Sequence, residues 1–157
     1  MHRCVRRTSD RCGGCVGLNP RGSYYITCLV SDERISHLFV YGTLRSAFAN
    51  RYARELSRKA TLKGIARVRG RLYDLGDYPG LRAAGDGWVT GELYELRDTA
   101  ILDELDHYEG PEFRRQAGDA VTRSGAVTRA WVYEYSGPVW EDRLIASGDY
   151  LSRSLDS

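Results

Sequence analysis

The chain predicts an α+β fold. Short apolar or alternating runs recur along it as strand candidates, and two stretches carry the four-residue spacing of amphipathic helices. These elements follow one another irregularly and close in a hairpin, which argues against a doubly wound sheet with its regular strand-helix alternation. No internal repeat is visible. A length of 157 residues suits one domain, and 42% hydrophobic against 28% charged residues is enough to bury a core.

Composition excludes several classes of partner. With 23 basic and 21 acidic side chains the net charge is +2, so long-range attraction to nucleic acid or an anionic membrane is not expected. No apolar run approaches the ~20 residues of a spanning helix. The chain is expected to be cytoplasmic, with its oligomeric state left open. All four cysteines, Cys4, Cys12, Cys15 and Cys28, fall in the first 28 residues, which rules out a disulfide framework for the remainder. Cys12-Gly-Gly-Cys15 has the spacing of half a zinc knuckle, but Cys4 and Cys28 do not supply a matching second pair, so no metal is expected.

Residues 1–37 mix Arg, Ser, Gly and Asn around one brief apolar patch at Tyr24 to Val30, and are expected to form a loosely structured extension before a domain at 38–157. The patch is short, interrupted by Thr27 and distant from Met1, unlike a secretory signal. Met1 is the only methionine, so a start at the codon of Val30 would make the extension a translation artefact.

Within the domain, Leu38-Phe39-Val40-Tyr41 suits a buried strand, and Gly42 permits a sharp turn out of it. Leu44, Phe48, Tyr52 and Leu56 then form the stripe of a helix over Arg45 to Lys59 that covers the strand. Ala66 to Tyr73 alternates as a half-buried strand, with Arg67, Arg69 and Arg71 on its wet face. Gly76-Asp77-Tyr78-Pro79-Gly80-Leu81 has the composition of a loop, one that can wall a pocket. Trp88 to Leu96 alternates again, with Gly91 marking a bulge or a close backbone approach. Asp98 is a candidate N-cap for a helix through Ile101, Leu102, Leu105 and Tyr108, which Gly110 and Pro111 end. Phe113 to Thr122 and Ala126 to Tyr135 form a hairpin turning at Ser124-Gly125, and the remaining tail packs back on the domain.

Two stretches can carry chemistry. At the strand-to-helix junction the amides of Gly42, Thr43 and Leu44 can converge on a carboxylate or phosphate, although such a junction is also ordinary architecture. In Leu102-Asp103-Glu104-Leu105-Asp106-His107-Tyr108-Glu109-Gly110, the acids Asp103, Glu104 and Asp106 read as solvated charge. Glu109 lies in the last helical turn, where the dipole disfavours an anion. Turned into an apolar pocket it would have a raised pKa and serve as a general base; turned outward it is an exposed helix-end residue. His2, His37 and His107 show no metal-ligand spacing. Walker, dinucleotide-glycine and Gly-x-Ser-x-Gly patterns are absent.

Phe39-Val40-Tyr41-Gly42-Thr43-Leu44-Arg45, Leu72-Tyr73 followed by Tyr78-Pro79-Gly80-Leu81, Gly91-Glu92-Leu93-Tyr94, and Leu105-Asp106-His107-Tyr108-Glu109-Gly110 with Arg114 and Arg115 beyond occur in this order and spacing. Together they resemble the gamma-glutamylcyclotransferase-like superfamily, in its AIG2-like and gamma-glutamylamine cyclotransferase branch, from about Leu38 to Tyr150. The resemblance implies a small mixed β-barrel flanked by helices. It implies that Tyr41, Gly42, Thr43 and Leu44 cradle the α-amino-acid end of a γ-glutamyl substrate and that Glu109 is the general base of a ring closure releasing 5-oxoproline and an amine. No metal or cofactor is needed, because nucleophile and electrophile share one molecule. Phe113 departs from the family pattern, standing where relatives often carry tyrosine. The alternatives are a small-molecule binder without turnover, and an enzyme that removes a γ-glutamyl protecting group in a specialised biosynthetic pathway.

Overall fold

The computed structural model describes residues 15–18, 24–27 and 35–155. It divides into two compact units, 1–34 and 35–157. In the first, β1 (Cys15–Leu18) and β2 (Tyr24–Thr27) pair antiparallel, with Val16 opposite Ile26. The rest of the expected loose extension, including Cys4, Cys12 and Cys28, lies outside the described residues.

The second unit begins at Ile35, which is already buried, slightly ahead of the expected boundary. It is built on a closed five-stranded barrel of β3 (His37–Val40), β7 (Trp88–Leu96), β4 (Ala60–Arg69), β8 (Phe113–Thr122) and β9 (Val127–Tyr135), in that order around the wall. Four of the seams are antiparallel. The fifth joins β3 to β9 in parallel, with Leu38 opposite Trp131 and Phe39 opposite Val132. Beside the barrel stand the nine-residue helices α1 (Arg51–Lys59) and α2 (Ile101–Glu109), and β5 (Arg71–Asp74) and β6 (Pro79–Arg82) form a separate hairpin.

Leu38, Phe39 and Val40 of β3 are all apolar because both faces of the strand are covered there. Leu38 and Val40 join Leu56, Ile101, Leu102 and Leu105 beneath the helices, while Phe39 joins Val68, Val89 and Val132 in the second cluster of the core. β9 divides the same way, with Trp131 and Tyr133 under the helices and Ala130 and Val132 opposite. Gly91 is a close-approach glycine. A Cβ there would sit 2.2 Å from the Val40 carbonyl oxygen and 2.6 Å from the Phe39 ring, so β3 and β7 pair only because this side chain is missing.

Several elements differ from their sequence-based outlines. The first helix starts at Arg51, capped by Asn50, whose Oδ1 accepts from the Ala53 N–H at 2.8 Å. Leu44 and Phe48 therefore precede it and enter different clusters, Phe48 stacking on Tyr150 with ring centroids 6.0 Å apart. The predicted strand 66–73 starts earlier, at Ala60, and breaks at Gly70, whose φ of +149 admits glycine best. The loop ahead of Leu81 is in part β6. Asp98 caps no helix; it accepts from the Ala100 N–H at 2.9 Å, one step ahead of α2. Arg67, Arg69 and Arg71 are exposed, the first two lying over the Trp88 ring at 5.1 and 4.3 Å.

Since the second unit begins at Ile35 and the buried clusters among the described residues lie within it, a chain beginning at Ser31 is expected to fold and to melt within a few degrees of the full-length chain. A larger fall in Tm, measured by calorimetry, would show that residues 1–30 belong to the folded unit.

Candidate active site

β3 delivers Tyr41 to the wall of a small cavity. The cavity is lined by residues 41–44, by Tyr78 and Pro79, and by Glu109 and Tyr133. The two stretches singled out in the sequence, far apart along the chain, thus share one cavity.

The turn after β3 is fixed from several sides. The Arg45 N–H donates to the Gly42 carbonyl at 3.1 Å, and Asn50 Nδ2 donates to the Thr43 carbonyl at 2.6 Å. Thr43 Oγ1 lies 3.0 Å from the Tyr108 hydroxyl. Beneath the turn, Glu92 on β7 is buried and accepts from Ser46 twice, from its N–H at 2.8 Å and from its Oγ at 2.5 Å. The equally buried Arg45 lies 3.9 Å from Glu92 and donates to Asp149 at 2.7 Å. With the carbonyls tied down, the N–H groups of Gly42, Thr43 and Leu44 have no acceptor among the described residues. Consecutive free amides lining a cavity suit an anionic ligand group. The expected helix dipole is not at this turn, because α1 starts only at Arg51.

The two flanking side chains of this stretch have structural surroundings. Leu44 is buried in the cluster beneath the helices, so only its backbone is polar at the cavity. The Tyr41 hydroxyl donates to the Tyr133 carbonyl at 2.6 Å and accepts from the Leu81 N–H at 3.3 Å. Burial, and then the charge of Glu109, raise its pKa well above the ordinary tyrosine value, which keeps it a neutral donor. Gly42 does not use a left-handed φ. Its constraint is Pro79, whose ring carbons would lie 2.8 and 2.9 Å from a Cβ at Gly42. Gly42→Val is accordingly expected to displace either the turn or the Pro79 wall and to weaken binding of a γ-glutamyl analogue at least about tenfold by calorimetry, the loss of roughly one hydrogen bond to a charged group. Wild-type affinity in a folded Gly42→Val protein would dissociate this turn from binding.

Glu109 reaches the cavity by helical periodicity. It follows Leu105 by four residues and Leu102 by seven, so it continues the buried stripe of α2. Gly110, at φ +82, ends the helix immediately afterwards. The carboxylate has no hydrogen bond or ion pair to any described residue, and burial pushes its pKa up to about 7. An unpartnered, desolvated carboxylate titrating near neutrality is poised to accept a proton.

Asp106, read from sequence as solvated charge, is instead engaged. It accepts from the Tyr133 hydroxyl at 2.7 Å and pairs with Arg115 at 3.3 Å, holding the tyrosine that lines the cavity. Burial and that hydrogen bond raise the Tyr133 pKa, so this hydroxyl also stays protonated. Phe113 stands between Tyr78 and Tyr135, with ring centroids 5.8 and 5.3 Å away. Among the described residues no cluster of three or more His, Cys, Asp or Glu could hold a metal ion, and no helix is long and apolar enough to cross a membrane.

A closed mixed barrel with free amides and a basic carboxylate on one small cavity is suited to acid–base chemistry on a small molecule. Residues 38–152 match the family model of gamma-glutamyl cyclotransferase, AIG2-like. The chain is 39% identical over 118 residues to the gamma-glutamylcyclotransferase family protein YtfP of Escherichia coli K12, covering 74% of this chain and 96% of that protein. The solution NMR structure of YtfP from Escherichia coli superposes with a TM-score of 0.53 at 38% identity, over 75% of this chain and 98% of the other. An AIG2-like protein from Mus musculus superposes with a TM-score of 0.60 at 25% identity, over 74% and 88%. The chain belongs to the AIG2-like gamma-glutamylcyclotransferase family.

Proposed function

We propose that this protein is a cyclotransferase acting on a γ-glutamyl amine or amide, with 5-oxoproline and a free amine as products. The observation that carries the reading is Glu109, an unpartnered carboxylate with a pKa of about 7 on the same cavity as the free amides of residues 42–44. The amides of Gly42, Thr43 and Leu44 receive the substrate's α-carboxylate, which brings its α-ammonium to Glu109. Glu109 takes one proton from that ammonium. The freed amine attacks the γ-carbonyl, the new C–N bond closes a five-membered lactam, and the original γ-amide bond breaks. The α-nitrogen sheds two protons in all, and these are the two that the departing nitrogen needs to leave as an ammonium. No water is consumed. The site's main contribution beyond proton transfer is to hold the folded conformer in which amine and carbonyl meet.

The pH dependence tests the assignment of the base. Glu109 must be ionised to act, so kcat/KM is expected to rise about tenfold per pH unit below about 7 and to level off above it, until the substrate's own ammonium titrates. A profile flat between pH 5 and 8 would remove Glu109 from the role.

A further inference from the structure

We propose that the C-terminal segment from Ile145 to Leu151 is a strap that holds the amide turn of the site in place, with Asp149 as its positioning residue. The inference rests on the cyclotransferase reading and adds to it the group that fixes the turn at residues 42–44.

The segment is tied to the domain on several sides. The Ile145 N–H donates to the Leu72 carbonyl at 2.8 Å, and the Gly148 carbonyl accepts from the Thr90 N–H at 2.8 Å. Ile145 and Tyr150 are buried in the second core cluster, Tyr150 against Phe48. Gly148, at φ +68, sets the register. A Cβ there would sit 2.0 Å from the Trp88 carbonyl oxygen, so only glycine lets the segment approach β7 this closely. The next residue, Asp149, is thereby brought to Arg45.

Arg45 ends the turn. It follows Leu44, and its N–H closes the turn on the Gly42 carbonyl. Its side chain is buried, its Nε has no hydrogen-bond partner among the described residues, and Glu92 is 3.9 Å away. The 2.7 Å hydrogen bond from Nη1 to Asp149 Oδ1 is therefore the short contact that fixes the guanidinium. Asp149 is itself held for this. Its Oδ1 also accepts from the Leu151 N–H at 3.0 Å, and its own N–H donates to Ser147 Oγ at 3.3 Å. A buried guanidinium that loses its short partner must shift toward water or toward Glu92, and the shift carries the turn with it. The same segment bears on another wall of the cavity, because the Tyr150 hydroxyl reaches the Asp77 carbonyl at 3.5 Å, next to Tyr78 and Pro79. None of these contacts involves α2, so Asp149 bears on receipt of the α-carboxylate and not on proton transfer by Glu109.

The test is turnover of γ-glutamyl n-butylamide, read as 5-oxoproline release at a temperature where each variant is folded by circular dichroism. Asp149→Ala is expected to raise KM at least about tenfold, with kcat within about threefold of wild type and the pH midpoint of kcat/KM still at about 7. Val68→Ala, a core truncation at a residue that does not line the cavity, should also lower Tm yet keep the wild-type KM. In an Arg45→Met background, adding Asp149→Ala should change KM by less than about twofold, because Asp149 acts through the guanidinium. A wild-type KM in Asp149→Ala, an equal rise in KM in Val68→Ala, or the same rise from Asp149→Ala with and without Arg45 would overturn the strap. A wild type that releases no 5-oxoproline would overturn the cyclotransferase reading; the strap would then stand or fall on the same comparisons made with the Kd of the amide by calorimetry, and a wild type that does not bind the amide would overturn both.

Discussion

Glu109→Gln is expected to bind a γ-glutamyl amide with near wild-type affinity and to lose turnover by about 10²- to 10⁴-fold, the usual contribution of a general base. Glutamine fills the same space at the end of the α2 stripe but cannot take the α-ammonium proton. The substitution should also stabilise the protein in a pH-dependent way. The folded carboxyl titrates at about 7 against an ordinary 4.5, so the native state binds more protons between those values, and stability falls as pH rises through that window. The penalty is complete above about pH 7. There the glutamine variant should exceed wild type by as much as about 3 kcal/mol, and the two should converge below about pH 4.5. Asp103→Asn is the matched control, because Asp103 is exposed on the same helix, whereas Asp106 holds Tyr133 and is not neutral to the site. Loss of turnover in Asp103→Asn together with full activity in Glu109→Gln would assign the wrong carboxylate.

Glu92→Ala is expected to cost about 3–5 kcal/mol of stability, the range for removing one partner from a buried charged cluster. It strands the Ser46 N–H and Oγ and leaves the Arg45 guanidinium buried with Asp149 as its one remaining acid partner among the described residues. Because Ser46 anchors the turn that presents residues 42–44, kcat/KM should fall too, even at temperatures where the variant is fully folded. Urea unfolding of Glu92→Ala and Ser46→Ala separates the terms: the serine variant loses the Oγ hydrogen bond to the carboxylate alone and should cost about 1.5–3 kcal/mol. A Glu92→Ala protein as stable as wild type would show that the cluster contributes nothing net.

β7 and the β8–β9 hairpin were legible from their β-rich runs and the Ser124-Gly125 turn, although β7 and β9 bury consecutive residues, on both faces, at Gly91 to Tyr94 and Ala130 to Tyr133. The barrel's closure was not legible from pattern. The parallel seam between β3 and β9 joins residues about ninety positions apart, and nothing local specifies it; the motifs' resemblance to a known family implied it instead. The first helix misled because Leu44, Phe48, Tyr52 and Leu56 keep helical spacing while the first two lie in the preceding loop. Asn50, a strong capping residue, was the available signal for the true start. β6 was hidden by its turn-like composition, with proline and glycine as its first two residues.

At the site, the Gly42 turn and Glu109 were both visible, but for reasons that the structure refines. Glu109 stands out less for its place in the last turn than for continuing the stripe of Leu102 and Leu105, a position where an acid is costly. The positioning of Tyr133 by Asp106, and of the turn by Glu92, depended on contacts across 27 and 46 residues that no sequence window contains.

The central claim is that the γ-glutamyl group closes on itself. Turnover of a γ-glutamyl amide in ¹⁸O-labelled water, with both products quantified by mass spectrometry, tests it most directly. The account predicts 5-oxoproline and free amine in equal amounts, with no ¹⁸O in the 5-oxoproline formed and with release of both products by Glu109→Gln slower by about 10²- to 10⁴-fold. Labelled glutamate as the product would instead make the protein a hydrolase, and the absence of any product from a wild-type protein that binds the substrate would make it a binding protein.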